Sequence, residues 1–199
     1  MLPPCLAGRE LFFAIPDAMP PSPVFWGLCA LTLFWAVGAY NRLVRLRSAV
    51  VQAFGGLDAH LVRLLALLAE CGAAHEAAHP AAQGAVGQAR TALQAAATQF
   101  GASLAVARAR PLQADAAAAL AAGREVLSAA WQALLRVRED EDGPAACAPW
   151  RQQWDAHQAQ NLLALQQFND AVACYNAAIA QFPPCLLAWL FGFKPARPL

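Results

Sequence analysis

The chain has 199 residues, of which 59% are hydrophobic and 14% are charged, and its mean hydropathy is +0.37. This composition is too apolar for a wholly soluble domain and is typical of one membrane segment joined to an alanine-rich helical bundle. The formal net charge is +1, and the 14 basic and 13 acidic residues are spread along the chain. Nucleic acid is therefore excluded as an expected partner, because no basic surface or arm is present to follow a phosphate backbone.

The cysteines form no recognisable framework. There are six, with no C-x-x-C pair and with one inside the apolar N-terminal segment (Cys5, Cys29, Cys71, Cys147, Cys174 and Cys185). This pattern favours isolated thiols in a reducing compartment over a secreted disulfide scaffold.

Residues 1–23 are predicted to be an irregular leader, because they contain six prolines and a single basic side chain, Arg9. Both Met1 and Met19 are candidate translation starts, and the sequence does not decide between them.

Residues 24–40 are predicted to form a transmembrane helix. The segment has no charge and, at about 1.5 Å per residue, it spans roughly 25 Å, close to the minimum for crossing the hydrocarbon core of a bilayer. An alternative is a cleaved signal peptide ending at Val37-Gly38-Ala39. We favour an uncleaved anchor, because no charged region directly precedes the apolar run and the helical pattern continues through it.

The membrane orientation follows from the flanking cations. Arg42, Arg45 and Arg47 come just after the predicted span, whereas Arg9 alone precedes it. Arginine is retained on the cytoplasmic side of inner membranes, so the rest of the chain is predicted to be cytoplasmic.

Four helices are expected after or continuous with the span. The first shows a heptad stripe from Val50 to His75, with Gly55-Gly56 as a soft spot rather than a break. The second is predicted to start at Pro80 and to end at Arg110-Pro111. Stripes of mostly apolar residues, spaced by three, four or seven, mark the second, third and fourth helices. The second has Val86, Leu93, Phe100 and Ala107, and the third has Leu120, Leu127, Trp131 and Leu134. The fourth has Trp150, Trp154, His157, Asn161, Leu165, Phe168, Val172, Tyr175, Ile179 and Phe182.

The third helix is predicted to run from Ala114 to just before the acidic run 139–142, because acids oppose the dipole at a helix C-terminus. The run itself has no Ca²⁺-loop spacing and is expected to be a solvated loop. The fourth helix is predicted to start near Pro149 and to stop at Pro183-Pro184.

The predicted fold is therefore all-α, with the N-terminal transmembrane helix running into a long antiparallel up-down bundle of about four helices. Its predicted divisions are a leader (1–23), a transmembrane helix (24–40), a bundle (41–182) and an apolar C-terminal tail (183–199). We interpret Leu186 to Phe193, within that tail, either as an apolar cap on the bundle or as a surface for a membrane protein.

Two segments resemble the LemA family of bacterial membrane-anchored proteins. The first is YNRLVRLRSAVVQAFGGLDAHLVR, which follows the apolar segment, and the second is QNLLALQQFNDAVACYNAAIAQFPPCLLAWLFGFKP. The residues carrying this resemblance are Tyr40, Asn41, Asp58, His75, Glu76, Arg90, Gln160, Asn161, Phe168, Asn169, Tyr175, Asn176, Phe182, Pro183, Gly192 and Phe193. The chain departs from the family pattern at residues 63–71 and at the acidic run, so it resembles a divergent member.

The resemblance implies an N-terminal anchor in the bacterial inner membrane, a long helical bundle and no established catalytic activity or cofactor.

One motif points to a different chemistry. His75-Glu76-Ala77-Ala78-His79 is an H-E-x-x-H sequence, in which two histidines one helical turn apart bind zinc and the glutamate activates water. Pro80 follows at once, and no third ligand stands in a recognisable motif. We therefore favour a turn between two helices over a metal site.

Asn161 falls on the apolar stripe of the fourth helix, where a buried amide is expected to fix the register between helices. No phosphate loop, nucleophile elbow or paired catalytic carboxylates are found.

The sequence thus predicts a non-enzymatic, single-pass inner-membrane protein without a cofactor. It is expected to contact the bilayer through residues 24–40 and a protein partner through its bundle, as an interaction or scaffolding module. The alternative is a membrane-tethered zinc hydrolase using His75, Glu76 and His79.

Overall fold

The computed structural model of the chain describes residues 22–78 and 84–199, and within these ranges it contains five helices and no strand. The helices are α1 (Pro23–Ala78), α2 (Ala85–Ala109), α3 (Ala114–Asp142), α4 (Pro144–Ala180) and α5 (Pro184–Leu190). The predicted all-α helical fold is confirmed. The N-terminal leader lies almost wholly outside the described residues, as does the predicted start of the second helix at Pro80.

The first part of α1 is apolar and exposed. Residues 24–37 carry no charge, and large side chains such as Leu31 and Phe34 are open to solvent. Among the described helices, α1 alone is long and apolar enough by itself to cross a membrane, while α4 and α5 pass the same test only together, as a pair bent by 97°. The residues up to Val37 and those from Gly38 onward form two separate compact units.

Within the second unit, the long helices run antiparallel. Arg108 of α2 contacts Asp58 of α1, and Gly101 of α2 lies by Leu65, so the residue numbers rise along one helix as they fall along the other. The same order relates α2 to α3, α3 to α4 and α1 to α4. Phe100 lies by Gly123, while Leu93 and Leu134 line one cavity. Trp131 stacks on Trp154, while Glu139 pairs with Arg151. Phe54 lies edge-on to Phe168, while Leu67 and His157 line one groove.

The predicted stripes form the core. Val50, Phe54, Leu57, Leu61, Leu64, Leu68 and Cys71 of α1 are buried, together with Val86, Leu93, Phe100 and Leu104 of α2, Leu120, Leu127, Trp131 and Leu134 of α3, and Trp154, Phe168, Val172 and Tyr175 of α4. Burial of these side chains supplies the main driving force for folding. Phe182 was expected to extend the last stripe, but it lies beyond the end of α4 and is exposed.

The junction between α3 and α4 differs from its prediction. The acidic run is helical, because α3 continues to Asp142 and α4 starts at Pro144 rather than near Pro149. Two ion pairs offset the unfavourable helix dipole: Glu139 pairs with Arg151 across the junction, and Asp142 pairs with Arg138 one turn back. Gly143, at φ +82°, makes the reversal that separates the two helices.

The C-terminal tail is also more ordered than its apolar composition indicated. It contains the seven-residue α5, followed by an extended segment, 193–199. The end of α5 is a Schellman motif, in which Phe193 N–H donates to Ala188 O and Gly192 N–H donates to Trp189 O. Gly192 takes the required left-handed conformation at φ +68°.

Candidate functional site

Two asparagines of α4 hold the extended tail. Asn176 donates from Nδ2 to the main-chain oxygen of Ala196 (2.8 Å) and accepts from Ala196 N–H at Oδ1 (2.9 Å). Asn169 makes the same pair of bonds with Leu199, at 3.0 and 2.9 Å. Since seven residues are two helical turns, the two amides lie on one face of α4, and each mimics the edge of a neighbouring β-strand.

A third side chain completes this tail clamp, which we define as Asn169, Tyr175 and Asn176. The Tyr175 hydroxyl donates to Lys194 O at 3.0 Å. The Tyr175 ring is buried, and burial raises the pKa of its hydroxyl, with the nearby Arg47 guanidinium acting in the opposite direction. The clamp thus fixes the tail at three points along α4.

Aromatic side chains join α5 to the first helix of the bundle. The Tyr40 ring lies 4.9 Å from that of Phe191 and 6.1 Å from that of Phe193. The Arg47 guanidinium carbon lies 6.0 Å from the centroid of the Phe193 ring, within range of a cation–π interaction. Beneath these rings, Leu43, Ala178 and Ala188 form a small buried cluster.

The outer side of α5 is strongly apolar and exposed. Its exposed fractions are 80% for Phe182, 60% for Leu186, 83% for Trp189, 66% for Leu190 and 56% for Phe191. We call these five residues the α5 surface. Pro183, which also carries the resemblance, is half-buried and follows Phe182 through a cis peptide bond.

Three of the residues that carry the resemblance, His75, Glu76 and Arg90, line a cavity between α1, α2 and α3. Its volume is about 440 Å³, and its walls are largely aliphatic. The lining residues are Leu65, Leu68, Ala69, Cys71, Gly72, Ala73, His75, Glu76, Arg90, Leu93, Gln94, Ala97, Thr98, Leu134 and Arg138. His75 is buried, whereas Glu76 is exposed to solvent.

The cavity wall contains a buried cation. Arg138 is only 9% exposed, and its Nε lies 3.6 Å from Asp142 Oδ2, beyond hydrogen-bond distance. Cys71 lies within electrostatic reach of this guanidinium. Burial raises the pKa of the Cys71 thiol, the charge of Arg138 acts against that rise, and Cys147 adds to it.

Asn161, the buried amide expected on α4, is 3% exposed, and neither of its amide atoms has a hydrogen-bond partner among the described residues. Two further residues that carry the resemblance, Asp58 and Asn41, lie apart from these groups. Asp58 accepts a 2.6 Å hydrogen bond from Arg108 Nε, and Asn41 is exposed.

No protein-family model, curated protein or solved structure matches this chain. The resemblance to the LemA family therefore stays a prediction. Most of the residues that carry it fall into two groups, the C-terminal group around the clamp and α5, and the cavity group of His75, Glu76 and Arg90.

The H-E-x-x-H motif is only partly described. His75 and Glu76 lie in the last turn of α1, whereas His79 falls outside the described residues. Within residues 22–78 and 84–199, no group of three His, Cys, Asp or Glu side chains is placed to hold a metal ion.

Sequence reasoning missed several of these residues. Asn169 was noted only as part of the resemblance, although its seven-residue spacing from Asn176 indicates two amides on one helix face. The positions of Arg138 and Leu199 have no local signal, because their surroundings are formed by residues distant in the sequence.

Proposed function

We propose that this protein is a non-enzymatic, single-pass inner-membrane protein of the LemA family, whose cytoplasmic bundle acts as an interaction or scaffolding module. The observation that carries the proposal is the change of character along α1. Its residues 24–37 are uncharged and expose their apolar side chains, while from Leu43 onward a stripe of the helix is buried in a bundle core. A helix that exposes such a segment is stable in lipid rather than in water.

The site chemistry supports a binding role rather than catalysis. The clamp residues Asn169 and Asn176 direct their polar atoms to the protein's own main chain. The α5 surface offers contact area without reactive groups. Such features are typical of a module that positions or binds other molecules at a membrane.

Anchoring and orientation are tested on the full chain carrying one cysteine at a time. Cys174 is exposed on α4, and we expect it to react with a membrane-impermeant maleimide in inverted inner-membrane vesicles but not in intact spheroplasts. The matched variant carries Leu28→Arg and Leu31→Arg, two charges in the apolar segment, and is expected to leave the membrane fraction. Labelling of Cys174 in spheroplasts would contradict the orientation, and retention of the double-arginine variant after alkaline extraction would contradict the anchor.

The scaffolding role is tested by exchanging the bundle. Residues 41–182 are replaced by an unrelated helical bundle, with the apolar segment retained, and the proteins captured from membranes are compared with those of the wild type. We expect the specific partners to be lost. An unchanged set of captured proteins contradicts the role of the bundle.

A further inference from the structure

The α5 surface differs from an ordinary scatter of exposed apolar residues, because its five members lie within ten residues of the chain, and Leu186, Trp189 and Leu190 are spaced to share one face of α5. Five large apolar side chains, each more than half exposed, stand on one short helix and its two flanks. Contiguous apolar patches of this kind mark sites that contact a protein or a membrane. The nature of the partner is indicated by what lies beside the patch.

The patch is adjacent to the residue at which the predicted membrane span ends. Tyr40 closes the apolar segment 24–40, and its ring contacts Phe191 of the α5 surface at 4.9 Å. Tyrosine and tryptophan are enriched where a span meets the headgroups, because their rings are apolar and their tips are polar. If Tyr40 lies at the level of the headgroups, Phe191, which contacts it, lies near that level too. The exposed indole of Trp189 is only two residues from Phe191.

The direction of α5 also suits a membrane surface. The α4–α5 pair is bent by 97°, while α4 runs antiparallel to the bundle part of α1. The short helix therefore lies across the end of the bundle on which Tyr40 is located. A helix in that position presents its side, rather than its end, to whatever covers the bundle end.

The charge around the patch favours anionic headgroups. Exposed Arg42, Arg45 and Arg47 follow Tyr40, and exposed Lys194 and Arg197 follow α5. No acidic residue occurs between residues 18 and 57 or between residues 171 and 199. Basic side chains close to a span are attracted to anionic lipids, at about 1 kcal/mol for each charge near the surface.

We propose that the α5 surface is a second membrane contact, which inserts Phe182, Leu186 and Trp189 into the headgroup boundary of the bilayer that residues 24–40 cross. The inference rests on the proposed membrane anchoring. It assigns to α5 a lipid partner, an anionic bilayer surface, which fixes the end of the bundle against the membrane.

The test is photo-crosslinking of the full chain in vesicles of phosphatidylethanolamine and phosphatidylglycerol, with a trace lipid that carries a diazirine near its headgroup. Adducts are mapped to residues by mass spectrometry. We expect them within 24–40 and on Phe182, Leu186 and Trp189. The internal control is Leu162 and Leu163 of α4, which are also about 60% exposed but lie roughly 22 Å along the helix from Ala178.

The outcomes separate the two proposals. Adducts within 24–40 without adducts on α5 overturn the membrane contact of α5 and leave the anchor standing. Equal labelling of α5 and Leu162-Leu163 also overturns it, since contact is then unspecific. If neither segment is labelled, both proposals are wrong. Replacing phosphatidylglycerol by phosphatidylcholine is expected to lower adducts on α5 severalfold and to leave those within 24–40 unchanged.

The cavity beside Arg138 supports a second inference that is independent of the membrane. A volume of about 440 Å³ is within the usual range of small-molecule sites. Leu65, Leu68, Leu93 and Leu134 give it aliphatic walls. An apolar chain of moderate length fits this environment.

The polar end of the cavity favours an anion. The Arg138 residue is only 9% exposed, and its Nε makes no hydrogen bond with any described residue. Asp142, which does not line the cavity, gives only a long ion pair with it, and the acid that does line the cavity, Glu76, is solvated. The second cation, Arg90, is half-buried on the same lining. A carboxylate matches the planar fork of a guanidinium.

We infer that this cavity binds a single-chain amphipathic carboxylate, with the carboxylate on Arg138 and the aliphatic chain among the leucines. The probe is octanoate, titrated calorimetrically into the full chain in nanodiscs. Octanol has the same chain without the charge, and it is expected to bind at least severalfold more weakly.

Two pairs of variants test the site. Gly72 lines the cavity, and a Cβ there would meet nothing within 4 Å, so Gly72→Leu has room for a side chain at the cavity wall and binding is expected to disappear. Its control is Gly56→Leu on the same helix, which also meets nothing and does not line the cavity. Arg138→Gln is expected to abolish the preference for octanoate over octanol, whereas Arg136→Gln keeps it. Equal titrations of wild type and Gly72→Leu, with circular dichroism showing both folded, overturn the inference.

Discussion

Asn176 and Ala196 exchange two hydrogen bonds, at 2.8 and 2.9 Å, through a side-chain amide on one partner and the main chain on the other. The pair joins residues that are 20 positions apart, on opposite sides of the turn that contains α5. Asn169 and Leu199 repeat the arrangement two helical turns along α4. The tail is therefore held by side chains acting in place of a β-strand.

Asn176→Ala should release the tail. Each lost hydrogen bond is worth about 0.5–1.5 kcal/mol, so the free energy of unfolding is expected to fall by about 1–3 kcal/mol. Hydrogen exchange at the Ala196 amide should accelerate, because its acceptor is removed. The control is Gln167→Ala on the exposed side of α4, for which we expect neither change. Unaltered exchange at Ala196 would show that the clamp does not hold the tail.

The alkaline stability should depend on Tyr175. Its folded-state pKa is raised above 10 by burial, so the neutral phenol is favoured in the folded protein. The contribution of the neutral Tyr175 hydroxyl to the free energy of unfolding is complete below the pKa of the unfolded state, about 10. It is lost as the pH rises through the pKa of the folded state. Chemical unfolding between pH 8 and 11 should therefore show a loss of stability above pH 10 that is smaller in Tyr175→Phe. Identical slopes in both proteins would contradict this origin.

Asn161→Leu should stabilise the bundle. The Asn161 amide is buried without a hydrogen-bond partner among the described residues, and such a group costs about 1–3 kcal/mol. Leucine has the same number and branching of side-chain heavy atoms and no polar ones, so we expect the free energy of unfolding to rise by about 1–2 kcal/mol. The oligomeric state of the variant should be measured by size-exclusion chromatography at the same time. If the Asn161 amide fixes the register between helices, Asn161→Leu is expected to change the oligomeric state rather than to stabilise the bundle.

Substitutions at Gly56 and Gly123 should change the stability of the folded protein in opposite directions. A Cβ at Gly56 meets nothing within 4 Å, so Gly56→Ala should stabilise α1 by up to about 1 kcal/mol through helix propensity. A Cβ at Gly123 would lie 3.2 Å from Phe100 Cδ2, so Gly123→Leu should cost about 1–3 kcal/mol by overpacking. Thermal unfolding of both variants provides the measurement, and the same sign for both would refute the packing at Phe100.

Metal content distinguishes the proposed function from the zinc alternative. We expect no stoichiometric zinc in the purified full chain, and no difference between wild type and His75→Ala, because Pro80 directly follows His79 and no third ligand stands in a recognisable motif. About one zinc per chain, lost in His75→Ala and in His79→Ala, would establish a metal site and revive the hydrolase.

Local chemistry in the sequence determined the helical fold. Seven-residue stripes such as Val86, Leu93 and Phe100 encode which face of a helix is buried, and this depends only on residues close in the chain. The apolar run 24–40 indicates a membrane span for the same reason. Helix ends were predicted well at Pro111 and Pro183, whereas Pro149, predicted to start α4, lies inside that helix.

The tertiary structure decided what depends on distant residues. The acidic run is helical because Arg151 and Arg138 neutralise it, and α3 and α4 are therefore longer than their local signals indicate. The extended tail has no periodicity of its own, and its position depends on two amides of α4. The contact of Tyr40 with Phe191 and the cavity at Arg138 arise only when helices pack, since each is made of side chains that no local sequence pattern brings together.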